Sequence, residues 1–308
     1  MVAAFQASSK AALRFGEPLH PSEDPSLRPD LLPLRLLTMV CAPMKLAVCQ
    51  MNSGPDLPKN LDQAIGLLRA AAAEGATLAG LPENFERMAS AAEKREGATT
   101  LDGPVLGPIR ETARALNLWV LAGSFAERIE GSAKIYNTSA MVDPDGEIAA
   151  VYRKIHLFDV EINDGAEYHE SAVVEPGDVL SVAETPVGEV GLSVCYDLRF
   201  PELYRALVKL GAELLAVPAA FTEKTGRAHW EVLLRARAIE NQCFTFAPAQ
   251  TGEHPGDRKT WGHALIVDPW GEVLADSGSA PGIAVADVDL DKLRDLRRAM
   301  PVLAHRRL

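Results

Sequence analysis

The sequence predicts a four-layer α/β fold, two β-sheets packed face to face with helices outside. Three observations lead there. Short apolar runs of strand length alternate along the chain with stretches at helical spacing. Two near-copies of one turn segment, AMVDPDGEI at 140–148 and LIVDPWGEV at 265–273, place a similar hairpin in each half and point to an approximate internal two-fold repeat. No linker long enough to divide the chain separates these elements, so both faces of each sheet must be covered within one domain.

The pattern begins at Lys45. KLAVCQM (45–51) is a strand, and Leu61, Ala64, Ile65, Leu68 and Ala71 mark a helix over 58–74 that Gly75 stops. Strands follow at 77–81 and 119–125, with a helix at 107–116 between them. The first hairpin pairs 138–142 with 147–152. The second half has strands at 190–194, 213–217 and 243–247, helices at 201–210 and 228–241, and the second hairpin, 263–267 with 272–275. Residues 1–44 have no strong periodicity and several prolines. They are expected to be an unstructured extension, or to precede a natural start at Met44, rather than to be a transit peptide, leaving 45–308 as the domain.

Composition narrows the function. The chain has 308 residues, a net charge of -11 and 47% hydrophobic residues. An acidic surface disfavours nucleic acid and anionic membranes, and the basic residues near the C-terminus are interleaved with Asp291 and Asp295, as on a solvated helix face. No apolar run of 18 residues exists, so no membrane-spanning helix is expected. Cys41, Cys49, Cys195 and Cys243 form no CxxC pair, which fits a reducing, cytoplasmic compartment better than a disulfide scaffold. HExxH, GxGxxG and GxxxxGK[ST] are absent, so neither a metal nor a nucleotide cofactor is expected.

Three residues stand out as chemistry. Cys195 lies where the apolar run 190–194 gives way to a helix opened by Pro201, an elbow that exposes a nucleophile and lets the Tyr196 N–H face an oxyanion. Taken alone, a cysteine there is more often a buried small hydrophobe, as Cys49 and Cys243 are read. Glu83 follows a buried run in AGLPENF, where desolvation raises a carboxyl pKa and suits it to act as a general base; a loop carboxylate is the plainer alternative. Lys154, in VYRKIHLFD, is flanked by apolar residues and either points inward to a carboxylate or stands at the surface. Arg199 offers a fork for a substrate carboxylate, or an ion pair with Asp197 or Glu202.

In full context these segments resemble the signature segments of the nitrilase superfamily. LPENF, YRKIHLFD and VCYDLRFPE occur in the family order, with HWEVLLRARAIENQ and GHALIVDPWGEV beyond them, and the similarity runs from about Lys45 to Arg307. It is greatest to the Nit branch, the relatives of the nitrilase half of Nit–Fhit fusion proteins. The resemblance implies an αββα sandwich and a catalytic triad mapped onto Glu83, Lys154 and Cys195. It implies also a second active-site glutamate at Glu170, a thioester intermediate, and a homodimer or larger homo-oligomer with the helix 228–241 and the C-terminal segment as contact regions. The expected reaction is hydrolysis of a small 2-oxoacid amide: deaminated glutathione, giving 2-oxoglutarate and Cys-Gly. The alternatives are an ω-amidase acting on 2-oxoglutaramate, or a non-catalytic scaffold with the same fold.

Overall fold

A computed structural model of the protein describes residues 13–14, 44–162 and 166–307. The expectation of an unstructured extension over 1–44 falls, apart from Leu13–Arg14 and Met44, outside the described residues. Leu13–Arg14 forms a two-residue strand paired antiparallel with Val179–Leu180.

The two large sheets are built alike. In the first, Met44–Met51, Leu78–Gly80 and Trp119–Leu121 run parallel, and Ile135–Val142 and then Ile148–Arg153 follow antiparallel. In the second, Gly188–Leu192, Leu214–Ala216 and Phe244–Ala247 run parallel, and Leu265–Val267 and Val273–Asp276 follow antiparallel. Helix α1 (Leu57–Ala73) and, after the short α2 (Ala91–Glu96), helix α3 (Leu106–Leu116) cross between the parallel strands of the first sheet. Helices α4 (Pro201–Lys209) and α5 (Glu223–Asn241) do the same in the second. The C-terminal α6 (Leu290–Ala299) follows the last strand.

Strand alternation creates the layers. Leu46 and Val48 point into the sandwich, where they join Val190, Leu192, Leu214 and Phe246 of the facing sheet. Ala47, Cys49 and Met51 point the other way, onto Ala64, Leu68 and Ala71 of α1 and Ile109 and Ala113 of α3. On the far side, Trp230, Leu234 and Ala238 recur about one turn apart along α5 and bury its inner face. This is the expected αββα order, with the internal repeat visible as one five-strand order found within both sheets.

Some elements differ from expectation. The strand foreseen over 119–125 is two, Trp119–Leu121 and Phe125–Arg128. Gly123 breaks it at φ +37, with its α-carbon so close to the Pro82 carbonyl that an added Cβ would lie 2.0 Å from that oxygen. The strands Ala249–His254, Arg258–Trp261 and Gly282–Val288 extend the first sheet and were not anticipated.

Candidate active site

Three loops converge at one end of the sandwich. Glu83 leaves the strand Leu78–Gly80, Lys154 follows Ile148–Arg153, and Cys195 follows Gly188–Leu192. All three are buried, at 4%, 2% and 8% exposure. Lys154 Nζ donates to Glu83 Oε1 at 3.1 Å and to Glu170 Oε2 at 2.9 Å. The backbone N–H of Ala220 donates to Glu83 Oε2 at 2.9 Å, and that of Phe158 to Glu170 Oε2 at 2.7 Å. Glu83, Lys154, Glu170 and Cys195 line one cavity of about 240 Å³.

The electrostatics separate the thiol from the carboxylate. Burial pushes the Cys195 thiol well above its ordinary range, and the negative charge of Glu83 adds to that. Burial pushes Glu83 upward too, but the Lys154 ammonium and hydrogen bonds from Cys195 and Lys154 outweigh it and hold the carboxyl below its ordinary value. The raised pKa expected for Glu83 is therefore corrected. Lys154 loses stability as a cation through burial, yet Glu170 and Glu83 over-compensate and lift it well above the ordinary lysine range. These directions fit a resting trio of thiol, carboxylate and ammonium at neutral pH.

The elbow is held from behind. Cys195 adopts φ +49, a strained conformation for a residue with a side chain, at the start of a 3-10 turn over Cys195–Arg199. Its N–H is bonded to the Pro218 carbonyl at 3.0 Å. Asp197, fully buried, accepts the Val194 N–H at 2.8 Å and the Tyr152 hydroxyl at 2.7 Å. Its other oxygen accepts the His156 N–H at 3.0 Å and lies 2.7 Å from His156 Nδ1. One carboxylate thus ties the loop carrying Cys195 to the residues on either side of Lys154.

Asp197 is consequently unavailable to Arg199. Among the described residues Arg199 forms no ion pair with Asp197 or Glu202. Its guanidinium lies over the Tyr196 and Phe221 rings, 5.8 and 5.1 Å from their centroids, with Nη1 3.3 Å from His229 Nδ1, and it lines the cavity. Tyr196 lines it as well, edge-on to Phe158.

Sequence reasoning missed Asn137. Its Nδ2 donates to Glu83 Oε1 at 2.9 Å and to Glu170 Oε1 at 3.2 Å, bridging the two carboxylates. The available signal was an amide inside the otherwise buried strand Ile135–Val142. Lys94, Tyr168 and Arg258 also line the cavity and had drawn no attention.

Comparison with known proteins places this geometry in a family. Residues 45–298 match the family model described as carbon-nitrogen hydrolase. A deaminated glutathione amidase of Synechocystis sp. is 47% identical over 267 residues, covering 86% of this chain and 98% of that protein. The crystal structure of the C. elegans NitFhit protein matches with TM-score 0.81 and 41% identity, over 86% of this chain and 65% of the fusion protein. That of Saccharomyces cerevisiae Nit3, from branch 10 of the nitrilase superfamily, matches with TM-score 0.78 and 30% identity, over 86% of this chain and 97% of Nit3. With sequence and fold matched over the same span, the chain belongs to the carbon-nitrogen hydrolase family of the nitrilase superfamily, hydrolases of carbon-nitrogen bonds in linear amides.

Proposed function

We propose that the protein hydrolyses the amide of deaminated glutathione, with Cys195 as nucleophile, Glu83 as acid–base and Lys154 as oxyanion stabiliser. The observation that carries this reading is a buried thiol sharing one cavity with a buried carboxylate that accepts the Lys154 ammonium at 3.1 Å. Glu83 removes the thiol proton as Sγ attacks the amide carbonyl carbon. Lys154 and the Tyr196 N–H take the oxyanion, each such donor contributing roughly 10²–10³ in rate. The intermediate collapses, the C–N bond breaks, and Glu83 returns the proton to the leaving nitrogen of Cys-Gly. Glu83 then deprotonates water, which attacks the thioester, releases 2-oxoglutarate and restores the thiol. Glu170 and Asn137 fix Lys154 and Glu83 throughout. Arg199 holds the 2-oxoacid carboxylate.

The relatives named deaminated glutathione amidase support this substrate. We take 45–308 as the catalytic unit, residues 1–44 as an extension, the compartment as cytoplasmic and the working form as a homodimer. The exposed Val232 and Ile239 on the outer face of α5 offer apolar area for that contact. No helix among the described residues is long and apolar enough to cross a membrane.

The test is release of 2-oxoglutarate from deaminated glutathione and, separately, from 2-oxoglutaramate, by wild type and Cys195→Ala. Preference for deaminated glutathione, abolished in the variant, is the expected result. Preference for 2-oxoglutaramate would move the protein to the ω-amidases, and an inert Cys195 with no turnover of either would favour a scaffold role.

A further inference from the structure

The cavity carries more positive charge than the reaction uses. Among the described residues lining it, the cations are Lys94, Lys154, Arg199 and Arg258, and the carboxylates are Glu83 and Glu170. Lys154 pairs with both carboxylates, and among the described residues Lys94, Arg199 and Arg258 are half-buried and form no ion pair, although Glu83 and Glu170 favour the Lys94 charge. Glu86, behind the wall, is buried and accepts the Ala126 N–H at 3.0 Å; it favours the charged form of Lys94 but forms no ion pair with it. Cations held half out of water without an ion pair favour an anionic ligand.

The three cations are arranged in two groups. A chain of rings runs along the wall: Tyr168 lies 5.0 Å from Phe158, and Phe158 lies 5.0 Å from Tyr196. Arg258 covers the Tyr168 ring at 5.7 Å, and Arg199 covers Tyr196 at 5.8 Å, so a guanidinium ends the chain at each side. Lys94 belongs with Arg258, whose charge, after burial itself, lowers the lysine's pKa. Lys94 Nζ also donates to Asn84 Oδ1 at 2.7 Å, which fixes it beside the residue that follows Glu83.

This placement distinguishes the two ends of a substrate. Arg199 is four residues past the nucleophile and serves the acyl side. Glu83 protonates the leaving nitrogen, so the leaving group extends toward Glu83, Asn84 and Lys94. We propose that Lys94 and Arg258, with Tyr168 beneath the guanidinium, form a second carboxylate subsite that selects amides whose leaving group ends in a carboxylate. The subsite deepens the amidase reading above and rests on it for the direction of the substrate. It accounts for a preference for deaminated glutathione over 2-oxoglutaramate, because both share the acyl group and only the first has a carboxylate on its leaving group.

The experiment compares kcat/KM for deaminated glutathione, for its analogue amidated at the glycine carboxylate, and for 2-oxoglutaramate, in wild type, Arg258→Met and Lys94→Met. Wild type is expected to prefer the free acid over the amidated analogue by about tenfold to a hundredfold, the range of one charge-assisted contact. Each variant shrinks that preference, chiefly through KM, and Arg258→Lys restores part of it. A preference that survives both substitutions, or an equal fall on all three substrates, overturns the subsite. Calorimetry of deaminated glutathione binding to Cys195→Ala, with and without Arg258→Met, keeps the two readings separate. Weaker binding on loss of Arg258, alongside a wild type that turns over nothing, would retain the subsite and discard the amidase; binding indifferent to Arg258 would discard the subsite.

Discussion

The two halves of the molecule share a frame and divide the chemistry. Five strands keep the same order in both sheets, and their hairpins share the same turn. Asp143 Oδ1 accepts the N–H groups of Asp145 and Glu147 at 2.9 and 2.8 Å; Asp268 Oδ1 accepts those of Trp270 and Glu272 at 2.9 and 2.8 Å. Gly146 and Gly271 take the left-handed position at φ +74 and +89. Registering the halves on these elements sets LAGLPENF (78–85) against LLAVPAAF (214–221), so Glu83 corresponds to Ala219. The hairpins set Lys154 against Ser279, and the first strands set Cys195 against Met51. Each residue of the proposed triad therefore corresponds to an inert residue in the other half. A sandwich of two similar sheets brings equivalent loops to one end, and the proposed site takes its base and cation from one half and its nucleophile from the other.

Writing one half's residue into the other breaks this division. Glu83→Ala, which copies Ala219, removes the acid–base, and kcat is expected to fall by about 10³-fold, within the range for general acid–base catalysis. Measured 2-oxoglutarate release near the wild-type rate would mean the proton goes elsewhere.

Lys154→Ser, which copies Ser279, is expected to lower kcat about 10²–10³-fold through the lost oxyanion contact. It also has a signature in pH. Lys154 holds the Glu83 carboxyl below its ordinary value, so the acid limb of kcat/KM lies low in wild type. Without the ammonium, burial dominates and the Glu83 pKa rises. The acid limb then moves to higher pH, a shift the pH–rate profile reads directly. A limb that stays in place would assign the low pKa to the Asn137 and Ala220 hydrogen bonds instead.

The same division explains what the sequence disclosed. The two hairpins with the Asp-Pro turn and the long helices were legible because each is set by local periodicity and by turn residues, in both halves; the short α2 and the hairpin Asp159–Ile162 with Ala166–His169 were not anticipated. That Glu83, Lys154 and Cys195 come together on one cavity was legible through the strings around them. The strand Ala249–His254 was not, because its polar side chains are satisfied only at a distance: Gln250 Nε2 donates to Ser53 Oγ at 2.8 Å and to the Glu83 carbonyl at 3.1 Å. His254 lies 2.9 Å from the Ser53 carbonyl and 2.7 Å from Thr260 Oγ1. The direction of the Glu83 shift was misread for the same reason, since burial is local but its cation stands 71 residues away. An ion pair of Arg199 with Asp197 or Glu202 stayed open beside a substrate-binding role because the three are close in sequence, whereas Asp197 bonds to Tyr152 and His156 across the sandwich.

The smallest effect sharpens the comparison most. Asp143→Ala and Asp268→Ala each remove a carboxylate accepting two backbone N–H groups, so hydrogen bonding alone assigns both the same loss, about 1–2 kcal/mol in thermal or urea unfolding. The turns differ in their attachment to the helices. Arg235 of α5 donates to the Gly271 carbonyl at 2.8 Å, as Arg110 of α3 donates to Gly146 at 2.6 Å. Among the described residues, only the first turn has further arginine ties: Arg110 also pairs with Glu147 at 2.9 Å, and Arg114 donates to the Asp145 carbonyl at 2.9 Å. Asp268→Ala is therefore expected to speed amide exchange in its turn more than Asp143→Ala does, while the global losses agree to within about 0.5 kcal/mol. Equal exchange would show that the additional arginine contacts, being exposed, add nothing measurable. Faster exchange at 268–272 alone would show that the half carrying Lys154 has its hairpin clamped more firmly than the half that carries no catalytic residue there.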